Sequence, residues 1–485
     1  MQTLKPLIKI FRISENEGYF FDANKNEIVE VSPRIYRILE NILQGDISEN
    51  IKKVGDTEFL RFYKQMTEKG YLSGNRVKVI EHPMSDYIEE TLENNIESIN
   101  LQVTQNCNLR CSYCPYTGNY YQNRQHNQKK MDFEMAKKGI DFLAEHSSGT
   151  DMVNVAFYGG EPFLEFKLIE KCMEYSKEVF NGKRVVFTIT TNATILNDEI
   201  MKALVDNDVS LTVSLDGPED IHNLGRVFPN GNGSFKLVFD NLKLFKMKYP
   251  EYFCKNVMFN TVIARGNDLE CIEDFFEQEE LFSDNYVTTT FYSNTYVKKE
   301  ELFSVSKQFC IYHEYGKYKY FLYKLGRVQN AGKSRVHSTA FATLRETNKM
   351  LNESQKLPPK FHPSGPCIPG RKKLFLNVFG NFYPCERINE LSDVSVIGNI
   401  YDGLDISKCN KLLNIGKITE KQCKECWAIG HCKLCFVQAD DGERLSAESR
   451  LNNCKDIKDM IVEQFRDICF LKKYKCNFED EIRRM

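Results

Sequence analysis

The sequence predicts an α/β fold: a partial (β/α)6 barrel of the TIM type, preceded by a winged-helix-like module and followed by a Cys-rich domain. Three observations carry this. Between residues 99 and 295 short apolar strand candidates alternate with helical stripes, the pattern of a parallel sheet. Residues 1–82 read instead as a hairpin, two helices and a closing strand. Ten of the 17 cysteines fall after residue 360, a shift in composition that marks a third domain, 361–485.

In the first module, Tyr19 to Asp22 and Ile28 to Val31 flank the turn-forming residues Ala23 to Asn26, a hairpin signal. Ser32 and Pro33 supply an N-cap and an N1 proline. Ile35, Ile38, Leu39, Ile42 and Leu43 follow at helical spacing, with Gly45 as the stop. A second helix carries Phe59, Leu60, Tyr63 and Met66 and stops at Gly70, and Arg76 to Ile80 reads as the closing strand. Neither helix shows a basic face, so a DNA-binding reading of this outline finds no support. Residues 83–98, acidic and Asn-rich from Glu89 to Glu97, read as a linker or bridging helix.

The barrel strands are expected at 99–104, 152–158, 185–191, 209–214, 257–263 and 287–292 (ending at Tyr292). Helical stripes such as Met135, Ala136, Gly139, Ile140 and Leu143 lie between them. Barrels place their chemistry in the loops at the C-terminal ends of strands. Residues 296–360, rich in Lys, Tyr and Phe, carry no motif and read as a bridging region.

Composition narrows the function. A formal net charge of −2 gives no electrostatic case for nucleic acid or an anionic membrane. No run approaches the ~18 apolar residues of a membrane span, and the N-terminus lacks a signal-peptide core. A cytoplasmic protein is expected. There 17 cysteines cannot form a disulfide scaffold, and metal or redox chemistry is the better use for them.

The strongest motif is Cys107, Cys111 and Cys114 (C-x3-C-x2-C), directly after the first barrel strand. A cubic iron-sulfur cluster normally takes four cysteines. Three close cysteines leave one iron open to a small chelating molecule. Gly159, Gly160 and Glu161 follow the second strand, and such glycines let backbone approach a ligand closely. Thr191 and Asn192 follow the third strand, Ser214 and Asp216 the fourth, and Asn260 lies within the fifth. Each of these alone could be an ordinary turn residue. The C-terminal cysteines run Cys367, Cys385, then Cys423-x2-Cys426-x5-Cys432-x2-Cys435, then Cys454. A zinc ribbon usually separates its two pairs by about 15–20 residues, far more than the gap here.

The three-Cys motif, with Tyr113 just before its last cysteine, resembles that of the radical S-adenosylmethionine (SAM) enzymes. The resemblance implies that Gly159, Gly160 and Glu161 hold the SAM amino group. It also implies that Thr191, Asn192, Ser214, Asp216 and Asn260 face its carboxylate, ribose or adenine. The open iron would be chelated by SAM, and one electron would release a 5′-deoxyadenosyl radical that takes hydrogen from an unactivated C–H bond. The C-terminal set resembles the SPASM domain, an auxiliary-cluster domain, although that family usually has three residues between the last two cysteines of the tetrad. Carried over, Cys423, Cys426, Cys432 and Cys454 would hold an outer [4Fe-4S] cluster, and Cys367, Cys385 and Cys435 an inner one. The inner cluster's fourth ligand would be a distant residue such as Cys409 or Cys310, or one iron would be open. With the SAM cluster that makes three [4Fe-4S] clusters. Cys172, Cys254, Cys271, Cys469 and Cys476 fit no motif, and read as small hydrophobes.

The first module resembles the peptide-recognition element of maturases of ribosomally made peptides, in which a leader peptide adds a strand to the sheet edge. Around residues 111–118, 124–127, 157–162 and 226–231 the chain resembles maturases of Cys-rich peptides, the freyrasin-type ranthipeptide and sactipeptide group. The implied activity is an oxidoreductase that forms thioether crosslinks from Cys sulfur to carbon in a precursor peptide. A donor such as flavodoxin or ferredoxin would supply electrons, and Glu386, beside Cys385, is a candidate base. Three alternatives stand beside it: a sulfatase-type maturase making formylglycine, a carbon–carbon crosslinking maturase, and a non-enzymatic zinc or redox regulator.

Overall fold

The computed structural model describes residues 5–44, 56–120, 123–263, 269–291, 306–329, 334–353, 357–363, 365 and 367–479. Gly45 and Tyr292, expected to end a helix and a strand, lie outside them. In the first module β1 (Ile8–Ser14), β2 (Glu17–Asp22) and β3 (Glu27–Val31) form an antiparallel sheet in that order. Ser32 caps the helix Pro33–Leu43 by accepting from the Ile35 amide, and Asp56 caps Thr57–Glu68 in the same way at Phe59. Phe20 and Phe21 point to opposite faces, as successive strand residues must. Phe20 packs with Ile35, Leu39 and Phe59 under the two helices. Phe21 packs with Phe11, Ile461 and Phe465, where the C-terminal helix Cys454–Lys473 covers the other face.

The strand expected over Arg76 to Ile80 does not close this sheet. Only Val79–Ile80 (β4) is extended, and it pairs in parallel with β11 (Lys360–Phe361). The cause is Pro359, whose carbonyl accepts from the amides of both Lys78 and Val79. The stretch 83–98 is packed rather than free: its helix Ile88–Asn94 buries Ile88 and Leu92 in the main core.

The six expected barrel strands are present: β5 (Ser98–Thr104), β6 (Met152–Gly159), β7 (Arg184–Thr191), β8 (Ser210–Ser214), β9 (Val257–Ile263) and β10 (Tyr286–Phe291). All pair in parallel with their sequence neighbours, as βα units require. Every residue of β5 is buried, because both its edges are paired as well as both its faces covered. Its second partner was not expected. β12 (Leu374–Leu376) lies parallel to β5, and β13 (Asn381–Tyr383), β14 (Gly398–Asn399) and β15 (Gly403–Leu404) continue antiparallel. The barrel and the Cys-rich region thus share one ten-stranded sheet.

The region 296–360 supplies two long helices, Lys307–Lys324 and Arg335–Asn352, capped by Ser306 and Ser334. Among the described residues no helix is long and apolar enough to cross a membrane.

Candidate active site at the carboxyl rim of the barrel

The loops singled out in the sequence leave the carboxyl ends of parallel strands, so they meet at one rim. There they enclose a cavity of about 580 Å³. Cys107, Cys111 and Cys114 all line it, as do Tyr113, Gly159, Gly160, Glu161, Thr191, Asn192 and Ser214. Burial pushes the Cys107 and Cys111 thiols up to about 12; Glu161 adds to this at Cys107, and Arg226 opposes it at Cys111. A bound metal would reverse that, since a coordinating thiol is deprotonated outright. The Leu109 amide already points at Cys107 Sγ (3.4 Å), and His126 Nε2 lies 3.8 Å from Cys114 Sγ.

Several of these residues also brace the loops of the site. A Cβ on Gly159 would lie 2.1 Å from the Thr104 carbonyl oxygen, and one on Gly160 would lie 2.0 Å from that of Asn106. The pair lets two loops touch. The amides of Gly160 and Glu161 donate to those same carbonyls, at 3.0 and 2.9 Å. The Glu161 carboxylate braces the loops after β6 and β7, accepting from Thr191 Oγ1 (2.7 Å) and the amides of Asn192 (2.8 Å) and Phe163 (3.2 Å). Burial raises its carboxyl to about 7.

Asp216 and Asn260 do not line the cavity. Asp216 is occupied by Tyr113 Oη (2.5 Å), Arg226 Nε (2.9 Å) and the Val262 amide (3.0 Å), so it orients two residues that do. Asn260 Oδ1 accepts from Thr288 Oγ1 at 3.1 Å, within the sheet. Arg226, a buried cation on the cavity wall, was not assigned a role from sequence. The signal that could have found it is Asp216, a buried carboxylate in need of a partner.

The remaining wall comes from the Cys-rich region: Glu386 to Asn389, Val437 and Gln438. Glu386 Oε1 faces Lys373 at 3.2 Å, while its Oε2 is buried without a hydrogen-bond partner. Beyond that wall the seven motif cysteines fall into two groups. Cys385 and Cys367 lie within electrostatic reach of Cys435. Cys423 and Cys454 lie within such reach of Cys432, and Cys426 within that of Cys432 and Cys423. Arg450, fully buried, ties the groups together by donating to the Leu434 carbonyl (2.9 Å), the Cys435 carbonyl (3.4 Å) and Thr419 Oγ1 (3.3 Å). Cys409 sits fully buried in the main apolar core on Ile406–Leu413, beside Asp405, and Cys310 is exposed on Lys307–Lys324. Among the described residues no three His, Cys, Asp or Glu side chains converge as a single ion would require.

Residues 101–278, which contain four whole barrel strands, the end of β5 and all three rim cysteines, match the model of the radical SAM superfamily. The chain contains a radical SAM domain. Curated relatives extend beyond it. The radical SAM cyclopropyl synthase TigE of Paramaledivibacter caminithermalis is 23% identical over 301 residues, which are 58% of this chain and 61% of that protein. A cysteine-type anaerobic sulfatase-maturating enzyme of Clostridium perfringens is 24% identical over 349 residues, 70% of this chain and 88% of that one. The solved structure of native anSMEcpe with bound AdoMet and the Kp18Cys peptide shares the fold, with a TM-score of 0.56 at 20% identity over 77% of this chain and 99% of that one.

A radical SAM domain implies SAM and a [4Fe-4S] cluster, and the rim fits both. Three thiols share one cavity, leaving a fourth coordination position to a small molecule. The same cavity offers a buried guanidinium for an anionic group.

Proposed function

We propose that this radical SAM domain modifies a ribosomally made Cys-rich precursor peptide, joining Cys sulfur to carbon. The observation that carries the reading is the composition of the cavity wall. One side is the three-Cys loop; the other, Glu386 to Asn389, runs on from Cys385 of the inner cysteine group. A substrate in this cavity would lie between the two sets of thiols. When bound, SAM and its cluster would supply a 5′-deoxyadenosyl radical for hydrogen abstraction. The chain's residues do the rest: Asp216 fixes Tyr113 and Arg226, Glu161 holds the loops, and Glu386 offers a buried, unpartnered oxygen to a substrate thiol proton. Cys367, Cys385 and Cys435 would hold one auxiliary cluster, which would accept the electron released when the substrate thiolate joins the peptide radical, and Cys423, Cys426, Cys432 and Cys454 would hold another. The leader would add as a strand along β3, which among the described residues pairs with β2 alone.

The second reading is oxidation of a Cys or Ser to formylglycine, favoured by the 88% coverage of a sulfatase-maturating relative. Mass spectrometry separates the two. A Cys-rich candidate precursor, incubated with reconstituted enzyme, SAM and a low-potential reductant, should lose two hydrogens per crosslink, keep its sulfur and hide one thiol per crosslink from alkylation. Replacement of sulfur by oxygen, or loss of two hydrogens with every thiol still alkylated and a new aldehyde trapped by a hydrazine, would establish the formylglycine reading. Cys107→Ala should abolish SAM cleavage while the iron bound by the C-terminal cysteines remains; stoichiometric zinc with little iron would defeat both.

A further inference from the structure

Arg124 lies ten residues past Cys114 and is almost wholly buried, with 6% of its side chain exposed. Its guanidinium stacks on Tyr116 at 3.6 Å. Its Nε donates to Glu390 Oε1 at 2.6 Å, while Nη1 and Nη2 have no hydrogen-bond partner among the described residues. Glu390, whose side chain is 3% exposed, also accepts from Gln102 Nε2 (2.8 Å) and Gln105 Nε2 (3.3 Å). A buried ion pair with two donors unsatisfied is a poor device for stability. Its position suggests another use. Tyr116, under the guanidinium, lines the cavity two residues after Cys114, and the charge of Arg124 reaches that thiol. Glu390 belongs to the Cys-rich region, directly after the wall residues Glu386 to Asn389.

We propose that the Arg124–Glu390 pair sets the reduction potential of the cluster held by Cys107, Cys111 and Cys114. This rests on the radical SAM reading of the rim. An electron entering that cluster adds negative charge, which a buried guanidinium stabilises and a buried carboxylate opposes. Salt screens neither well at this depth. Arg110 and Arg226 also reach Cys114 and stay in place in every variant below. Arg124 and Glu390 are positioning residues that touch no substrate.

The test is an anaerobic redox titration of the reconstituted holoenzyme with SAM, following the paramagnetic signal that SAM perturbs. Glu390→Gln leaves the cation uncompensated and should raise the potential. Arg124→Met leaves the carboxylate uncompensated and should lower it. Each should change the ratio of reduced to oxidised cluster about tenfold at a fixed potential, ~59 mV for a one-electron couple. Arg124→Lys, which keeps the charge and loses the planar fork, should titrate near the parent. Shifts of one sign in both neutralised variants, or none, would overturn the proposal, as would a Lys variant that shifts as far as the Met variant. Should a single variant fail to hold iron, Arg124→Met/Glu390→Gln decides: it should load iron and titrate near the parent, and failure to load would show a purely structural pair. A parent with iron but no SAM-perturbed signal would instead defeat the radical SAM reading, and this inference with it.

Discussion

Gly160→Ala puts a methyl group where the structure has no room for one. The new Cβ would lie 2.0 Å from the Asn106 carbonyl oxygen, 2.4 Å from its carbon and 2.9 Å from the Cys107 amide nitrogen. All three are backbone atoms, so no side chain can swing aside. The two loops must part by about 1 Å to bring the closest contact to 3.0 Å. Overpacking of this kind costs about 1–3 kcal/mol. The separation also weakens the bonds from Gly160 to Thr104 and from Glu161 to Asn106, each worth about 1 kcal/mol. The expected loss is about 2–4 kcal/mol, which a domain of ordinary stability survives. The moved atoms belong to Cys107 and its neighbour, so the damage concentrates on one cluster site. Anaerobic thermal unfolding should show a lower midpoint. Iron analysis should show selective loss at the rim, with the C-terminal complement retained. Full rim iron and an unchanged midpoint would refute the steric argument.

Two further outcomes follow from buried charge. Arg450→Met strips three acceptors of this donor; the expected cost is about 1–3 kcal/mol for each acceptor left short, read as a lower unfolding midpoint and loss of C-terminal iron before rim iron. Asp467 has its carboxyl raised from 3.8 to about 6 by burial, against the pull of Lys317 at 3.1 Å. A raised carboxyl favours the folded state fully below pH 3.8, and that advantage disappears as pH rises through about 6. The stability of the parent relative to Asp467→Asn should therefore fall across this window, by at most about 3 kcal/mol; a constant difference in unfolding free energy from pH 4 to 7 would contradict it.

The barrel was legible because its strands obey a local rule. β6 alternates buried and partly exposed residues along its length, and β9 falls on its expected bounds, 257–263. β12 to β15 have two or three residues each, too few for any period. The helix Lys307–Lys324 escaped for another reason: Ile311, Tyr315 and Tyr318 are exposed while Phe309, Tyr320 and Phe321 are buried, so its apolar residues mark no single face. At the rim, the cysteines and glycines announced themselves by spacing. What they do with their neighbours did not. The amides of Gly160 and Glu161 bond to carbonyls more than fifty residues back, and Arg124 meets Glu390 across 266 positions. Such partners exist only once the sheet has formed.

The pairing of β5 with β12 bears on how the chain is made. β5 leaves the ribosome some 270 residues ahead of its second partner. At about 5–20 residues per second the interval is tens of seconds. Throughout it the most completely buried strand of the barrel presents an unpaired edge, the feature that seeds aggregation. The N-terminal sheet waits longer still, since Phe21 is covered by Trp427, His431 and Phe465. Vectorial synthesis thus leaves the N-terminal sheet unfinished until the helix Cys454–Lys473 emerges, and a chain truncated before it should be a client for chaperones rather than a smaller enzyme.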